Sequence, residues 1–290
     1  MRKEITYMYS LAIAAVMFSG CAGNHLDDVS TSRDFLFHVA VMPCTKTVNE
    51  CEYPSDAQFG VWSFENGGLT YLDNEKVCYD EDNMWLPENR KSWDGDVDKM
   101  DFIAYSPYGR GTYVQDNGIV FSSYDISEGL DVMYSEPLTE QDREASQAVV
   151  HINMKRALAL VKFKARAVVP ESTTIVIKKV EVDGVYGLAS FQSLPEPSWS
   201  GHSASREFCF FEGEVEAGGD VVALGEGMFM IPQTSEVQVN VLCDIITGDL
   251  KLSDQTLNAV MMAGWRPGKI ASYVIKVDGY LNVTIEKNNE

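Results

Sequence analysis

Between Glu236 and Ile246 the apolar residues Val237, Val239, Val241, Cys243 and Ile245 alternate with Gln238, Asn240, Leu242 and Asp244. A period of two gathers the first set on one face of a β-strand, whereas a helix would scatter it around the axis. Weaker copies of the pattern recur along the chain: Asp34–Met42, Gly60–Phe64, Leu69–Leu72, Met100–Tyr105, Gly118–Phe121, Leu130–Tyr134, Thr174–Val182, Phe208–Phe211 and Met228–Ile231. Turn formers separate them, among them Asn66-Gly67-Gly68, Asp183-Gly184 and Asp278-Gly279. Short apolar runs punctuated in this way predict an all-β chain.

The segment Ala148–Ala167 shows how the strands are divided. Val149–Ile152 and Ala159–Ala165 both alternate, and Met154–Leu158 between them has room for no more than a helical turn. A strand, a turn and a second strand are expected where one β-domain closes and the next opens. A length of 290 residues allows about two domains, each able to bury its own core. The expected division is 1–20 signal peptide, 21–33 tether, 34–147 N-terminal β-sandwich and 148–290 C-terminal β-sandwich.

The first residues carry an address. Arg2 and Lys3 precede the apolar run Leu11–Phe18, and Ser19-Gly20-Cys21 follows. The apolar run is too short for a permanent span, and small residues before a cysteine suit a lipoprotein signal peptidase. Cys21 is therefore the expected lipidation site and first mature residue, with a diacylglyceryl thioether holding the chain to the outer membrane at the cell surface. Each buried lipid methylene stabilises such an anchor by about 0.8 kcal/mol. The residues after Cys21 are polar and aperiodic, as a tether would be.

Charge and residue types remove several function classes. A formal charge of −20 supplies no basic face for phosphates, so no nucleic-acid partner is expected. The histidines His25, His38, His151 and His202 lack ligand spacing, and Gly201-His202-Ser203 is not a nucleophile elbow. Asp94, Asp96 and Asp98 start like a calcium loop, but Lys99 stands where the turn glycine belongs and no glutamate closes it. No enzyme, cofactor or metal site is expected. With Cys21 lipidated, Cys44 and Cys51 could clamp a loop, Cys209 and Cys243 sit in apolar surroundings as core residues do, and Cys78 completes the set.

The order of these pieces resembles a family. Trp93, Val97-Asp98, Phe102–Tyr108, Ile119–Phe121, Leu130–Ser135, Val150–Ile152 and Arg156–Ala159, then Met230–Gln233 and Gly264–Lys269, follow one another as in the fimbrillin-like proteins, the type V pilins of Bacteroidetes and their anchoring accessories. At the joint the family usually reads Phe-x-His-Ala-Leu, and here Met154-Lys155-Arg156 stands in place of the first part. The resemblance implies two tandem transthyretin-like Greek-key β-sandwich domains, lipoprotein export and fibres that serve cell adhesion. Partners would be other pilus subunits by strand exchange, the outer membrane through the lipid, and a host protein or glycan.

In such exchange a protease removes an N-terminal strand after an arginine and a neighbour's C-terminal strand fills the groove, held by main-chain hydrogen bonds. The expected donors are Ser272, Tyr273, Val274, Ile275, Lys276 and Val277, then Tyr280, Leu281, Asn282, Val283, Thr284 and Ile285. Arg33 is the one arginine between Cys21 and Arg90, hence the candidate processing site, but residues 22–32 contain no strand-like alternation. Their loss would vacate no groove, so an anchoring or accessory subunit that keeps its lipid is expected rather than a cleaved shaft subunit. The alternative is a glycan-binding surface lipoprotein outside any fibre, with Trp62, Trp85, Trp93, Trp199 or Trp265 as a stacking platform.

Overall fold

A computed structural model of the chain describes residues 33–43, 51–65, 68–80 and 84–288. In order the elements are β1 (Arg33–Asp34), β2 (Leu36–Val41), β3 (Cys51–Glu52), β4 (Phe59–Glu65), β5 (Thr70–Tyr79), β6 (Trp85–Pro87), β7 (Ser92–Trp93) and β8 (Lys99–Ser106). Next come β9 (Thr112–Val114), β10 (Gly118–Asp125), β11 (Met133–Ser135), β12 (Leu138–Asp142), the single-turn helix α1 (Arg143–Ser146), β13 (Val149–Arg156) and β14 (Ala159–Val168). The last are β15 (Thr173–Gln192), β16 (Ser198–Ala217), β17 (Val222–Met230), β18 (Thr234–Thr247), β19 (Leu250–Gly264), β20 (Ile270–Asp278) and β21 (Val283–Asn288). The chain is all-β, as its alternation predicts.

The first half closes on itself. Its sheet runs β11-β13-β2-β6-β5-β4-β8, and β11 pairs with β8 as well as with β13, so this ring leaves few open edges. Inside it Phe35 meets Trp93 at 5.5 Å and Phe102 at 6.0 Å, and all three rings are buried. β2 lies parallel to β13, in register from Leu36 opposite Val149 to Val41 opposite Met154. Parallel neighbours cannot be joined by a tight hairpin. Here the connection is the rest of the ring, so the first long strand finds its place only when a segment more than a hundred residues downstream (Val149 lies 113 positions after Leu36) is in position.

The second half is two packed sheets. One runs β19-β18-β15-β10-β9 with β16 on the other edge of β15, and the second runs β17-β14-β20-β21. Val237, Val239, Val241, Cys243 and Ile245 of β18 are all buried, as their alternation predicts. They share a core with Phe163, Ile175, Ile177, Tyr273 and Ile275. Facing layers of this kind suit a β-sandwich.

β13 belongs to the ring and β14 to the sandwich, with only Ala157 and Leu158 between them. No helical turn forms at Met154–Leu158. Met154, Lys155 and Arg156 pair with Ser135, Tyr134 and Met133 of β11, Met154 also pairs with Val41 of β2, and this ladder outweighs local helix preference. Two other local expectations also change. Asp183-Gly184 is an irregularity inside the continuous strand β15, where the register to β16 shifts between Val182 and Val185. Phe191–Arg206, which with Pro195, Pro197 and Gly201 reads as a long loop from sequence alone, is mostly strand, because β16 begins at Ser198 and pairs with β15 along its length.

β9 and β10 precede residue 147 in the chain yet join the sandwich sheet, with Val120 opposite Gln192 and Phe121 opposite Phe191. Ring residues Trp62, Ile103 and Tyr105 accordingly share one apolar cluster with Ile119, Phe121 and the sandwich core. A continuous apolar seam of this kind holds two halves together far better than a polar linker does.

Candidate functional site

For a chain expected to exchange strands, the functional elements are its two terminal strands. β20 lies in the middle of its sheet, parallel to β14 on one side and antiparallel to β21 on the other. Ser272, Tyr273, Val274, Ile275 and Val277 are buried, and Lys276 is half-buried. β21 lies at the edge and, among the described strands, pairs with β20 alone. Its inward residues Val283 and Ile285 are half-buried, while Thr284 and Glu286 are exposed. In the turn before β21, Tyr280 is 89% exposed, whereas Leu281, at φ 65°, is half-buried and packs against the sandwich core.

That turn is organised by Asp278. Its Oδ1 accepts from the Tyr280 and Asn282 amides at 2.8 and 2.9 Å, and its Oδ2 accepts from Asn282 Nδ2 at 3.1 Å. These donors favour the charged form and hold the carboxyl below its ordinary range. Glu286 lies 2.8 Å from Arg166 and 3.7 Å from Lys276, both partly solvated pairs worth little. A cavity of 220 Å³ separates β21 from β19, lined by Val260, Met261, Met262, Tyr273 and Ile285 among others. Among the described residues the far edge of β21 has no ladder partner.

At the other end Arg33 opens β1 opposite Trp93, with its guanidinium 3.7 Å from Glu144. β2 begins three residues later, at Leu36, and lies wholly downstream of Arg33. Its contact with β6 is the single pair Phe37–Trp85, and an opening of 700 Å³ beside it is lined by Tyr53, Tyr79, Met84 and Trp85. Cys21 and the Cys44 side of the expected clamp lie outside the described residues.

The other candidates from the sequence are dispersed. His38 and His151 are exposed neighbours on β2 and β13 with ring centres 5.1 Å apart, and His202 is 2.8 Å from the Pro232 carbonyl. Among the described residues no group of three or more His, Cys, Asp or Glu is placed to hold a metal. Asp94 accepts from the Asp96 amide at 3.1 Å, an Asx turn. None of the tryptophans is an open platform. Trp62, Trp85, Trp93 and Trp265 are buried, and the half-buried Trp199 donates to the Ala157 carbonyl at 2.8 Å.

Cys243 is buried, and burial pushes its thiol up to about 11. Cys209, expected in the core, is exposed: Phe208 and Phe210 take the inward positions of β16, and alternation turns the residue between them outward. Two features had no local signal. One is the contact between Asp131 and Arg156, carboxylate to guanidinium at 2.6 Å where ring meets sandwich. Burial raises Asp131 to about 6 despite the arginine, and its Oδ1 has no hydrogen-bond partner. The other is an irregularity at Asp73-Asn74 in β5, where Val61 faces Glu75 but Ser63 faces Leu72.

The sequence profile of fimbrillin-like proteins matches residues 45–289. The chain belongs to the fimbrillin-like family. Among curated proteins none matches it. Among solved structures, a fimbrial protein from Bacteroides vulgatus ATCC 8482 is 17% identical with a TM-score of 0.63, covering 88% of this chain and 98% of that one. A proposed cell adhesion protein from Bacteroides uniformis ATCC 8492 is 14% identical with a TM-score of 0.58, covering 89% and 97%. Another, from Bacteroides ovatus ATCC 8483, is 15% identical with a TM-score of 0.59, covering 89% and 96%. At these identities the likeness speaks for the fold, which this fimbrillin-like chain shares over nearly its whole described length.

Proposed function

We propose that this fimbrillin-like chain is an anchoring or accessory subunit of a surface fibre, tied to the outer membrane by lipid at Cys21 and joined to neighbours by strand donation. The observation that carries the reading is the place of β2. It is the first long strand after the expected tether, and it occupies its own slot beside β13. A chain still continuous from lipid to β2 keeps that slot filled, so it offers no acceptor groove and ends a fibre at the membrane. Cleavage after Arg33 would split β1, opposite Trp93, and leave β2 in its place, so it would open no acceptor groove.

Such a subunit can still donate. β21 is the strand suited to leave, because among the described strands its ladder runs to β20 alone, whereas releasing Ser272–Val277 would remove the buried middle of a sheet. The donor is therefore narrowed to Val283, Thr284 and Ile285 with the residues that follow, and Tyr280–Asn282 act as its hinge. Main-chain bonds give such a strand its affinity, and alternate side chains give its register. The reading of the two halves as tandem transthyretin-like Greek-key domains belongs to the same proposal, supported by the non-sequential neighbours β2 and β13.

The mature N-terminus of protein taken from the cell surface tests this. A lipid-bearing Cys21 is expected, and a free start at Asp34 would overturn it.

A further inference from the structure

Ring and β9–β10 hairpin meet at a groove of about 890 Å³, within the ~300–1,000 Å³ of small-ligand sites. One wall is aromatic. The Trp62 ring stacks on Tyr105 at 5.2 Å and lies 6.1 Å from Tyr113, which in turn contacts Phe64 at 4.8 Å. Trp62 is buried, but Phe64 and Tyr113 are half-buried and present ring surface to the opening.

Polar groups border the aromatic ones, two of them placed by an irregularity in the sheet. The extra residue in β5 sets Asp73 against Trp62 and Asn74 against Tyr105, with Asn74 held at φ 48°. Bulges of this kind re-aim side chains next to sites, and a left-handed asparagine is a conformation worth explaining. Trp62 Nε1 donates to Asp73 Oδ1 at 3.1 Å, and Tyr105 Oη donates to Asn74 Oδ1 at 2.9 Å. On β8, opposite Phe64 in the register, Asp101 Oδ1 accepts from the Glu140 amide at 2.7 Å. Each of these bonds fixes one oxygen and leaves a second polar atom: Oδ2 of Asp73, Oδ2 of Asp101 and Nδ2 of Asn74. Gln115 lies at the rim.

We propose that this groove binds a neutral pyranose sugar of a glycan, with the C–H face of the ring on Tyr113 and Phe64 and its hydroxyls between Asp73, Asn74 and Asp101. The apolar face of a pyranose suits the negative face of an aromatic ring. Hydroxyls both donate and accept, matching polar groups that combine carboxylate acceptors with amide donors. The lining has two carboxylates and no Lys or Arg, which disfavours sialylated or sulfated sugars. A cation would use the acceptors alone and leave the amide donors of Asn74 and Gln115 without partners. An adjoining cavity of 170 Å³ shares Phe64, Gly68 and Asp101 and extends to Lys99 and Glu140, room for a second residue of a chain. The inference does not rest on fibre assembly, since the isolated chain contains the whole groove.

The test is calorimetric titration of the full chain with neutral hexose oligosaccharides, their sialylated or sulfated counterparts, and choline. Saturable binding of a neutral sugar, at least tenfold tighter than its anionic counterpart, is expected. Tyr113→Ala and Asp101→Asn should each weaken it about tenfold or more, the size of one lost charge-assisted contact. Tyr113→Phe, which keeps the ring, should bind within about threefold of the unaltered chain, and Asp101→Asn keeps an acceptor for the Glu140 amide, so neither depends on a disrupted fold. No saturation by any neutral sugar, binding indifferent to Tyr113→Ala and Asp101→Asn, or binding of the anionic sugars or choline alone would overturn the proposal.

Discussion

Ending the chain at Gly279 removes β21 and tests whether that strand is detachable. The loss is the partial burial of Leu281, Val283 and Ile285, the ladder to β20, and the solvated Glu286 pairs. Full burial of such an aliphatic side chain is worth roughly 1.5–3 kcal/mol, so three half-buried ones give about 3 kcal/mol. The six register pairs with β20 carry about six ladder bonds, and at about 0.5 kcal/mol net for a bond exchanged with water they add about 3 kcal/mol. A total of about 6 kcal/mol lies at the low end of the ~5–15 kcal/mol stability of an ordinary domain, so the truncated chain should keep its fold with a strongly lowered Tm. Ile275→Ala in the neighbouring strand, at a fully buried position, should cost about 2–5 kcal/mol from one side chain alone. The assay is thermal unfolding followed by circular dichroism, without and with a synthetic peptide of residues 280–290. If β21 is a separable strand, the peptide rebinds in trans and raises Tm in a concentration-dependent way. Loss of cooperative unfolding that the peptide cannot restore would refute the division between a core β20 and a removable β21.

Two further outcomes follow from titratable groups. Asp131 holds a proton up to about pH 6 in the folded chain but releases it near pH 4 when unfolded, so the folded state binds more protons between those values. Stability should therefore fall as pH rises through that window, by about 3 kcal/mol, and urea melts of Asp131→Asn should lack this component; an unchanged profile would contradict it. Exposed Cys209 should react with a thiol reagent in the native chain while buried Cys243 reacts only after denaturant is added, and equal native rates read by peptide mass spectrometry would contradict the burial assignment.

Much of the fold was legible because alternation is a local property that burial enforces. The β18 residues Val237 to Ile245 fill one face as their spacing requires, and the step from Ile152 to Ala159 marks the passage from ring to sandwich. What the sequence did not disclose depends on partners distant along the chain. β10 joins β15 rather than its neighbours in sequence, and nothing within Gly118–Asp125 specifies that choice. Met154–Arg156 became strand because β11 pairs with all three residues, and Cys209 turned outward because the phenylalanines beside it took the core.

The candidate groove was less legible still. Trp62 could be named as an aromatic of interest, but Asp73 meets it, and Asn74 meets Tyr105, only through one extra residue in a strand, and Tyr113 arrives from a hairpin of the other sheet. A bulge leaves no periodic trace beyond a single displaced residue. Strand exchange depends in turn on which edge is free, and β21 differs from β20 in its neighbours far more than in its residues.

The central claim is that β2 stays joined to a lipidated N-terminus. Intact mass spectrometry with N-terminal peptide mapping of the protein extracted from cell surfaces reads that junction directly. The account predicts a single mature species beginning at Cys21 and carrying diacylglycerol and its acyl chains, with peptides running unbroken from Cys21 into Leu36–Val41. An unlipidated species beginning at Asp34 would contradict it and make this chain a processed subunit within the fibre.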